Sequence, residues 1–165
     1  MKRLQEKASH CFTTGDDRQK VYEQYKSVLT LAADGKNGQE VFKRICTQCH
    51  RRSGEGVTVG PDLSGVQNQP SEALLLHILI PSYEIVPGYT SYDVETRNGR
   101  VLTGLIASET ETSLSLKRSL GATDTILRSN ITKISSAGLS LMPDELEKTM
   151  TRQELADLIA FLKSR

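Results

Sequence analysis

Two cysteines three positions apart, followed at once by a histidine, constrain this chain more than any other feature. The motif is Cys46-Thr47-Gln48-Cys49-His50. Positions i and i+3 of a helical turn share a face, so both sulfur atoms can reach the two vinyl groups on one porphyrin edge. His50 follows Cys46 by one turn and can place an imidazole nitrogen on the iron. The spacing predicts one covalently bound haem c, attached through Cys46 and Cys49 and ligated by His50.

Zinc sites and redox-active thiol pairs use the same residue types. Together with Cys11, the motif supplies a nominal set of three cysteines and one histidine for zinc. Zinc sites usually combine two spaced pairs, however, and adjacent Cys49 and His50 point in different directions on a helix. Haem is the favoured interpretation. Cys11 is then expected to be an ordinary buried or terminal thiol, with intermolecular oxidation as the alternative.

Length and composition further restrict the classes of protein that this chain can belong to. The 165 residues allow one domain, or a small domain with a second module. With 37% hydrophobic residues, 5% aromatic residues and no Trp, the side chains supply a modest core, to which a large apolar cofactor would add buried surface. The net charge of +1 argues against a nucleic-acid binder. We find no apolar run long enough to span a membrane.

The N-terminus does not explain how haem would be attached. The stretch MKRLQEKASH lacks the apolar region of a secretory signal, yet covalent attachment of this kind takes place outside the bacterial cytoplasm. We therefore expect a periplasmic or otherwise exported protein. Either its signal has been removed or, as we favour, the sequence is one domain of a longer secreted protein.

Apolar residues at helical spacing predict four helices, over about 18–32, 38–46, 72–79 and the C-terminal segment. Gly38 would allow the second and last helices to cross closely. Thr151 and Glu154 form a capping-box pattern before the last helix. The third helix is apolar on all sides and is expected to be buried against the porphyrin. His77 lies within it, and a partly buried core histidine is favoured there over a second iron ligand.

From Tyr89 the hydrophobic period changes to that of strands. Asn98-Gly99 is the strongest hairpin signal in the chain. The predicted strands cover about 89–96, 100–107, 112–117, 125–128 and 131–134. The predicted fold is mainly α, with a small antiparallel β barrel or curled sheet inserted between the pocket helix and the segment that precedes the last helix.

After the strands, Met142 lies on a loop stiffened by Pro143. A thioether on such a loop can reach the iron without helical constraint, and its soft sulfur favours ferrous iron. Met142 is therefore the favoured second iron ligand. The alternative is a methionine that fills a gap in the core. Met150 and Met1 are weaker choices, since one abuts the last helix and the other is terminal.

The loop Val59-Gly60-Pro61-Asp62-Leu63 follows the cysteine motif. A haem motif followed by Gly-Pro-Asp-Leu resembles the first class of c-type cytochromes. That resemblance implies that the carbonyl of Pro61 accepts a hydrogen bond from the far nitrogen of His50. Such a bond fixes the ring and raises its basicity. The alternative for Pro61 is ordinary loop punctuation.

Further pieces of the sequence share a more specific likeness, from about Val21 to the end. They are Gly38-x-x-Val41-Phe42, Cys46 to Arg51, Val59 to Leu63, Pro81-Ser82, the strand block from Tyr89 with Gly99 and Gly104, Ser140 to Pro143, and Leu155 to Leu158 before Phe161-Leu162. Together they resemble the C-terminal haem-binding domain of large secreted dehydrogenase-like proteins of planctomycetes and verrucomicrobia. The resemblance implies a redox partner, or a fused dehydrogenase domain, as the electron donor. The strand block makes this resemblance specific.

These observations give the expected organisation of the chain. Residues 1–35 form a leader and outer helix, 36–88 the first part of a class I cytochrome c core, 89–135 the β insert, and 136–165 the Met loop and last helix. The expected function is one-electron transfer without turnover of a substrate. The alternatives are a haem domain that binds small ligands or peroxide, and a docking module with a structural haem. Basic residues near the motif could steer an acidic partner, or form a solvated face: Lys43, Arg44, Arg51 and Arg52.

Overall fold

Four helices form one part of the molecule. The computed structural model describes residues 17–164. Helix α1 covers 17–25, and the next three are α2 (Gly35–Ile45), α3 (Ser71–Leu79) and α4 (Arg152–Lys163). A tighter 3-10 turn, Lys26–Thr30, continues α1. The first predicted helix is thus confirmed for most of its length, but the chain becomes extended at Leu31.

Helix α2 begins three residues earlier than predicted. The stretch from Ala33 to Gly38 has the composition of a turn, yet the chain is helical from Gly35. The side chain of Asp34 accepts a hydrogen bond from the N–H of Lys36 and caps the helix. A satisfied N-cap and tertiary contacts outweigh the low helix propensity of two glycines.

The crossing of α2 and α4 depends on Gly38, as predicted. A Cβ at this position would lie 1.9 Å from the carbonyl oxygen of Asp157 and 2.9 Å from Cβ of Phe161. The rings of Phe42 and Phe161 pack beside the crossing with their centroids 5.4 Å apart. The predicted capping box of Thr151 on α4 is also present. Any side chain at position 38 would force the two helices apart.

Helix α3 closes the helical core. Its buried residues confirm the predicted buried helix, and one continuous cluster joins α3, α2, α4 and the turn after α1. The cluster contains Tyr22, Val28, Val41, Phe42, Leu74, Leu75, Ile78, Leu79, Met150, Leu155, Ala156, Leu158, Ile159 and Leu162.

The second part is an antiparallel sheet of five strands with its own core. A short hairpin, β1 (Arg51–Arg52) and β2 (Glu55–Gly56), precedes it and was not predicted. The sheet has the order β6-β5-β4-β3-β7. Val94, Leu114, Leu116 and Ile126 form its core. The bounds are β3 (Thr90–Thr96), β4 (Val101–Glu109), β5 (Ser113–Lys117), β6 (Thr123–Leu127) and β7 (Ile131–Ser140).

Four helices and a five-stranded antiparallel sheet confirm the predicted element types, with one correction. The last strand was predicted to stop at Ile134 but continues to Ser140. Its polar second half pairs with β3, where Tyr92 lies opposite Ser136 and Thr90 opposite Ser140, across a register shift. Met142 therefore follows the sheet almost directly. No helix within 17–164 is long and apolar enough to cross a membrane.

The contact between α2 and α4 makes stability depend on pH. Asp157 is 2% exposed and accepts hydrogen bonds from Asp34 N–H at 2.8 Å, Asn37 Nδ2 at 2.6 Å and Gln153 Nε2 at 2.9 Å. Burial alone would raise the pKa of this carboxyl, but the three donors hold it below its usual value. Its contribution to stability is present above the unfolded pKa of about 3.9 and is lost as pH falls through the folded value.

We expect Asp157→Asn to lower the free energy of unfolding at pH 7 by about 1–3 kcal/mol, because one oxygen acceptor becomes a donor facing other donors. The variant should also lose less stability than the parent on acidification below pH ~4. Denaturant titrations between pH 7 and pH 3 measure both effects. Asp93→Asn, on the sheet, is the control and should change the pH 7 value by less than about 0.5 kcal/mol. Equal acid sensitivity of parent and Asp157→Asn would contradict the assignment.

Candidate functional site

The cysteine motif forms a hydrogen-bonded turn at the end of α2. The N–H groups of Cys49 and His50 both donate to the carbonyl of Cys46, at 3.0 and 2.8 Å. Both thiols are free and partly buried, and Cys46 packs against the helical core. The two sulfur-bearing residues and the histidine thus lie on one turn that continues a rigid helix.

The imidazole of His50 is held by the loop that follows. Its Nδ1 lies 2.8 Å from the carbonyl oxygen of Pro61. A carbonyl can only accept, so Nδ1 carries the hydrogen and Nε2 keeps a free lone pair. Burial lowers the pKa of His50, and the bond to Pro61 only partly offsets it, so the ring is neutral at pH 7. A neutral imidazole with a free Nε2 is the form that binds a metal ion.

Two glycines allow the loop to approach His50 this closely. A Cβ on Gly60 would lie 2.6 Å from Cε1 and 2.9 Å from Nδ1 of the ring. A Cβ on Gly56 would lie 2.1 Å from the carbonyl oxygen of His50, and Gly56 has a left-handed φ of +94°. The N–H groups of Val59 and Gly60 also donate to the carbonyl of Cys49, at 3.0 and 2.7 Å. The loop therefore wraps both the ring and the backbone of the motif.

The environment of Cys46 favours a protonated thiol. Burial, with a smaller contribution from Cys49, raises the pKa of Cys46 to about 12. The thiolate is the form that exchanges disulfides, so this environment disfavours a reactive thiol pair. No group of three or more His, Cys, Asp or Glu residues is placed to hold a metal ion in the described part of the chain. Cys11, which the zinc alternative requires, lies outside the described residues.

Arg52 connects the loop after His50 to the end of α4. It is 4% exposed and donates to the carbonyls of Leu63, Leu162, Phe161 and Ser164, at 3.0, 3.1, 3.1 and 2.6 Å. The last three carbonyls lie at the end of α4, where backbone acceptors lack helical partners and a positive charge is favoured. The guanidinium thereby fastens the loop after His50 to α4. This role could not be predicted from the sequence, because a second arginine after a motif is usually interpreted as surface charge.

The hypothesis that the basic residues near the motif steer an acidic partner is therefore wrong for Arg52, because Arg52 is buried. Two of the other basic residues are engaged in ion pairs. Lys43 Nζ lies 3.1 Å from Glu40 Oε1, and Arg44 Nη2 lies 2.6 Å from Glu154 Oε1. Arg52 and Arg44 thus connect the loop and α2 to α4, whereas Lys43 pairs within its own helix.

The sheet lies against the motif, which the sequence did not predict. The N–H of Leu120, in the turn between β5 and β6, donates to the carbonyl of Gln48 at 2.9 Å. Lys117 Nζ donates to the carbonyl of Thr58 at 2.9 Å. Leu120 has a left-handed φ of 64° and an exposed side chain. A strained residue in this turn thus contacts the segment between the two cysteines.

Met142 lies at the end of β7, on a segment separate from His50. Its N–H donates to the hydroxyl of Ser140 at 3.1 Å, and the N–H of Ser140 donates to the hydroxyl of Ser82 after α3 at 3.1 Å. Met142 is partly exposed and belongs neither to the core of the described chain nor to the residues packed on it, whereas Met150 is 8% exposed within that core. This argues against Met142 as a core-filling residue.

The structure therefore brings Cys46, Cys49, His50 and Pro61 into one turn and loop and places Met142 on a second segment. Their roles toward haem remain predictions. His77, the alternative iron ligand, is 38% exposed, and its Nε2 lies 3.6 Å from Glu84 Oε2. It is thus a partly buried residue of α3, as predicted, with its ring near a carboxylate at the surface.

Comparisons with known proteins fall on the same region. Residues 35–101 match the model of the cytochrome c family, over about two-fifths of the chain. A cytochrome c of Arabidopsis thaliana is 44% identical over 39 residues, which make up 23% of this chain and 35% of that protein. The chain thus spans about a third of the length of this relative. The family match includes the cysteine motif, the Pro61 loop and α3, and it ends before Met142.

The close packing of Gly60 on the His50 ring leads to a stability prediction. We expect Gly60→Ala to lower the free energy of unfolding by about 1–3 kcal/mol, because the new methyl overlaps the ring and the ring is held by Pro61. Gly65→Ala is the matched control. No atom lies within 4 Å of a Cβ at position 65 and its φ is −98°, so its effect should stay within about 1 kcal/mol. Thermal unfolding of both variants measures the difference, and equal effects would show that the loop does not clamp the ring.

Proposed function

We propose that this chain, which contains a cytochrome c domain, is a monohaem one-electron carrier. The observation that carries the proposal is the state of His50. Its ring is partly buried and neutral, with Nδ1 hydrogen-bonded to Pro61 at 2.8 Å and Nε2 keeping its lone pair, on the same turn as two free thiols. That donor set fits haem c, whereas the raised pKa of Cys46 does not fit a reactive thiol pair.

In this proposal Cys46 and Cys49 hold the haem through thioether bonds, and His50 and Met142 are the iron ligands. Haem c supplies a reversible one-electron couple when bound. Pro61 orients the His50 ring and increases its donor strength. A thioether ligand favours the reduced state relative to a second imidazole. Retention of both ligands through the redox change keeps rearrangement small.

The exposed apolar surface next to Met142 also supports a large apolar ligand. Tyr83 and Leu139 are 63% and 47% exposed. Each is adjacent in sequence to a residue of the Ser82–Ser140 hydrogen bond, which leads directly to Met142. Exposed apolar side chains that cluster at one place mark a binding surface.

The finer assignment is to the haem-binding domain of secreted planctomycete and verrucomicrobial proteins, with a class I core interrupted by the sheet. A dehydrogenase domain or partner would then supply the electron, and the protein would act outside the cytoplasm without turning over a substrate itself. The strand block from Tyr89 supports this assignment, since a helical cytochrome c core does not need it.

Substitution of the two candidate methionines tests the proposed ligand set. We expect the ferric parent to be low-spin, with the weak near-infrared band of sulfur bound to iron. Met142→Leu should abolish that band and let the ferrous protein bind carbon monoxide readily. Met150→Leu is the control, because Met150 is in the core. It should keep the band and lose less than about 1.5 kcal/mol of stability.

The same spectra identify the alternative functions. A high-spin parent that binds carbon monoxide would support a haem domain that binds small ligands or peroxide. A band that survives in Met142→Leu would contradict the proposed ligand.

A further inference from the structure

We infer that Arg18 is a positioning residue for Met142, a role that rests on the proposed function. Arg18 lies on α1, outside the segment that matches the cytochrome c family. It does not touch the motif at Cys46. It contacts two other segments instead. One is the end of α3, which is followed by the Ser82 contact to Ser140, and the other contains Glu147 and follows Met142.

Arg18 makes four hydrogen bonds to two separate parts of the chain. Nη1 and Nη2 donate to the two carboxylate oxygens of Glu147, at 2.7 and 2.8 Å. Nε and Nη2 donate to the carbonyl of Leu79, at 3.1 and 2.6 Å. The side chains of Arg18 and Glu147 are only 12% and 3% exposed. A paired, largely buried fork of this kind fixes both partners in one geometry.

These two contacts complete a closed path of hydrogen bonds and chain segments, and Met142 lies on that path. On one side, Leu79 ends α3 and is followed by Ser82, whose hydroxyl accepts from Ser140, the residue two before Met142. On the other side, Glu147 lies in the 3-10 turn Leu146–Thr149, five residues after Met142. Arg18 joins the two sides.

The segment between these anchors has little support of its own. Pro143, Asp144 and Glu145 are exposed, and Glu145 has a left-handed φ of 66°. Met142 itself is outside the hydrophobic core. The position of its thioether therefore depends on the anchors at Ser140 and Glu147 more than on packing.

Loss of the Arg18 charge would affect Glu147 first. Burial opposes the charged carboxylate, while the hydrogen bonds from Arg18 lower its pKa. Without the guanidinium, a carboxylate that is 3% exposed loses its paired charge and two hydrogen bonds, so it is expected to move toward solvent or take up a proton. Either response releases the end of the Met142 segment.

A matched control separates this role from general support by α1. Arg152 on α4 also ties α1 down: its Nη1 donates to the carbonyl of Gln24 at 2.9 Å, and its guanidinium lies 4.4 Å from the centroid of the Tyr25 ring. These contacts do not involve the Met142 segment. Arg152→Gln should therefore weaken the same helix without releasing the methionine.

The test uses the full-length haem-loaded protein, well below its unfolding temperature. We expect Arg18→Gln to lose most of the near-infrared sulfur band and to bind carbon monoxide about 10-fold faster than the parent, as when an outer support of a metal ligand is removed. Arg18→Lys, which keeps the charge but not the fork, should lie between the two. Arg152→Gln should retain the parent's band and rate, even where its melting temperature falls.

Each result decides the inference. Arg18→Gln with the parent's band and a carbon monoxide rate within about twofold of the parent would overturn it. If that variant does not fold, Arg18→Lys decides in the same way against Arg152→Gln. If Arg152→Gln also lost the near-infrared sulfur band, the effect of Arg18→Gln would reflect general stabilisation by α1, and the positioning role would be refuted. A parent without the band would refute the proposed ligand set itself, and the inference with it.

Discussion

The hydrogen bond between His50 Nδ1 and the carbonyl of Pro61 is the interaction on which the rest of the site depends. It sets the tautomer and the orientation of the ring, while burial keeps the ring neutral. It can form only because Gly60 lets the loop lie on the ring. The loop is held because Arg52 binds the carbonyl groups at the end of α4. Helix α4 in turn can pack against α2 because Gly38 has no side chain at the crossing.

The sheet belongs to this arrangement rather than standing apart from it. The turn between β5 and β6 binds the segment between the cysteines through Leu120 and supports the Pro61 loop through Lys117. At the other edge, β7 leads almost directly to Met142. One sheet thus contacts the surroundings of His50 and leads to Met142. The sheet is therefore connected to both of the segments that carry the predicted iron ligands.

The parts of the fold that depend on neighbouring residues could be predicted from the sequence. The parts that depend on contacts between distant residues could not. The cysteine spacing, the Thr151 capping box and the Asn98-Gly99 hairpin depend on neighbours in sequence. The start of α2 was misplaced because its two glycines are tolerated only through the Asp34 cap and the contact with α4. The second half of β7 has a polar pattern, and it is a strand because β3 lies beside it. Turn composition and strand period carry no information on such partners.

The candidate site shows the same division. The spacing of the motif predicted that the two cysteines and the histidine share one turn, and the resemblance to c-type cytochromes predicted the contact between Pro61 and His50. The buried tie of Arg52 and the pairing of Arg18 with Glu147 join residues more than 100 positions apart. An arginine in a polar stretch looks the same whether it faces solvent or a buried carboxylate. Those roles could only be found from the folded structure.

The absorption spectrum of the reduced, denatured protein in pyridine tests the central claim most directly. Denaturation removes every contact of the fold, so the band position then reports only how the porphyrin is joined to the chain. We predict the band of a haem bound by two thioethers, which Cys46→Ser or Cys49→Ser should shift toward that of a singly attached haem. A band typical of unattached haem, or protein that carries no haem when produced with the attachment machinery, would contradict the account.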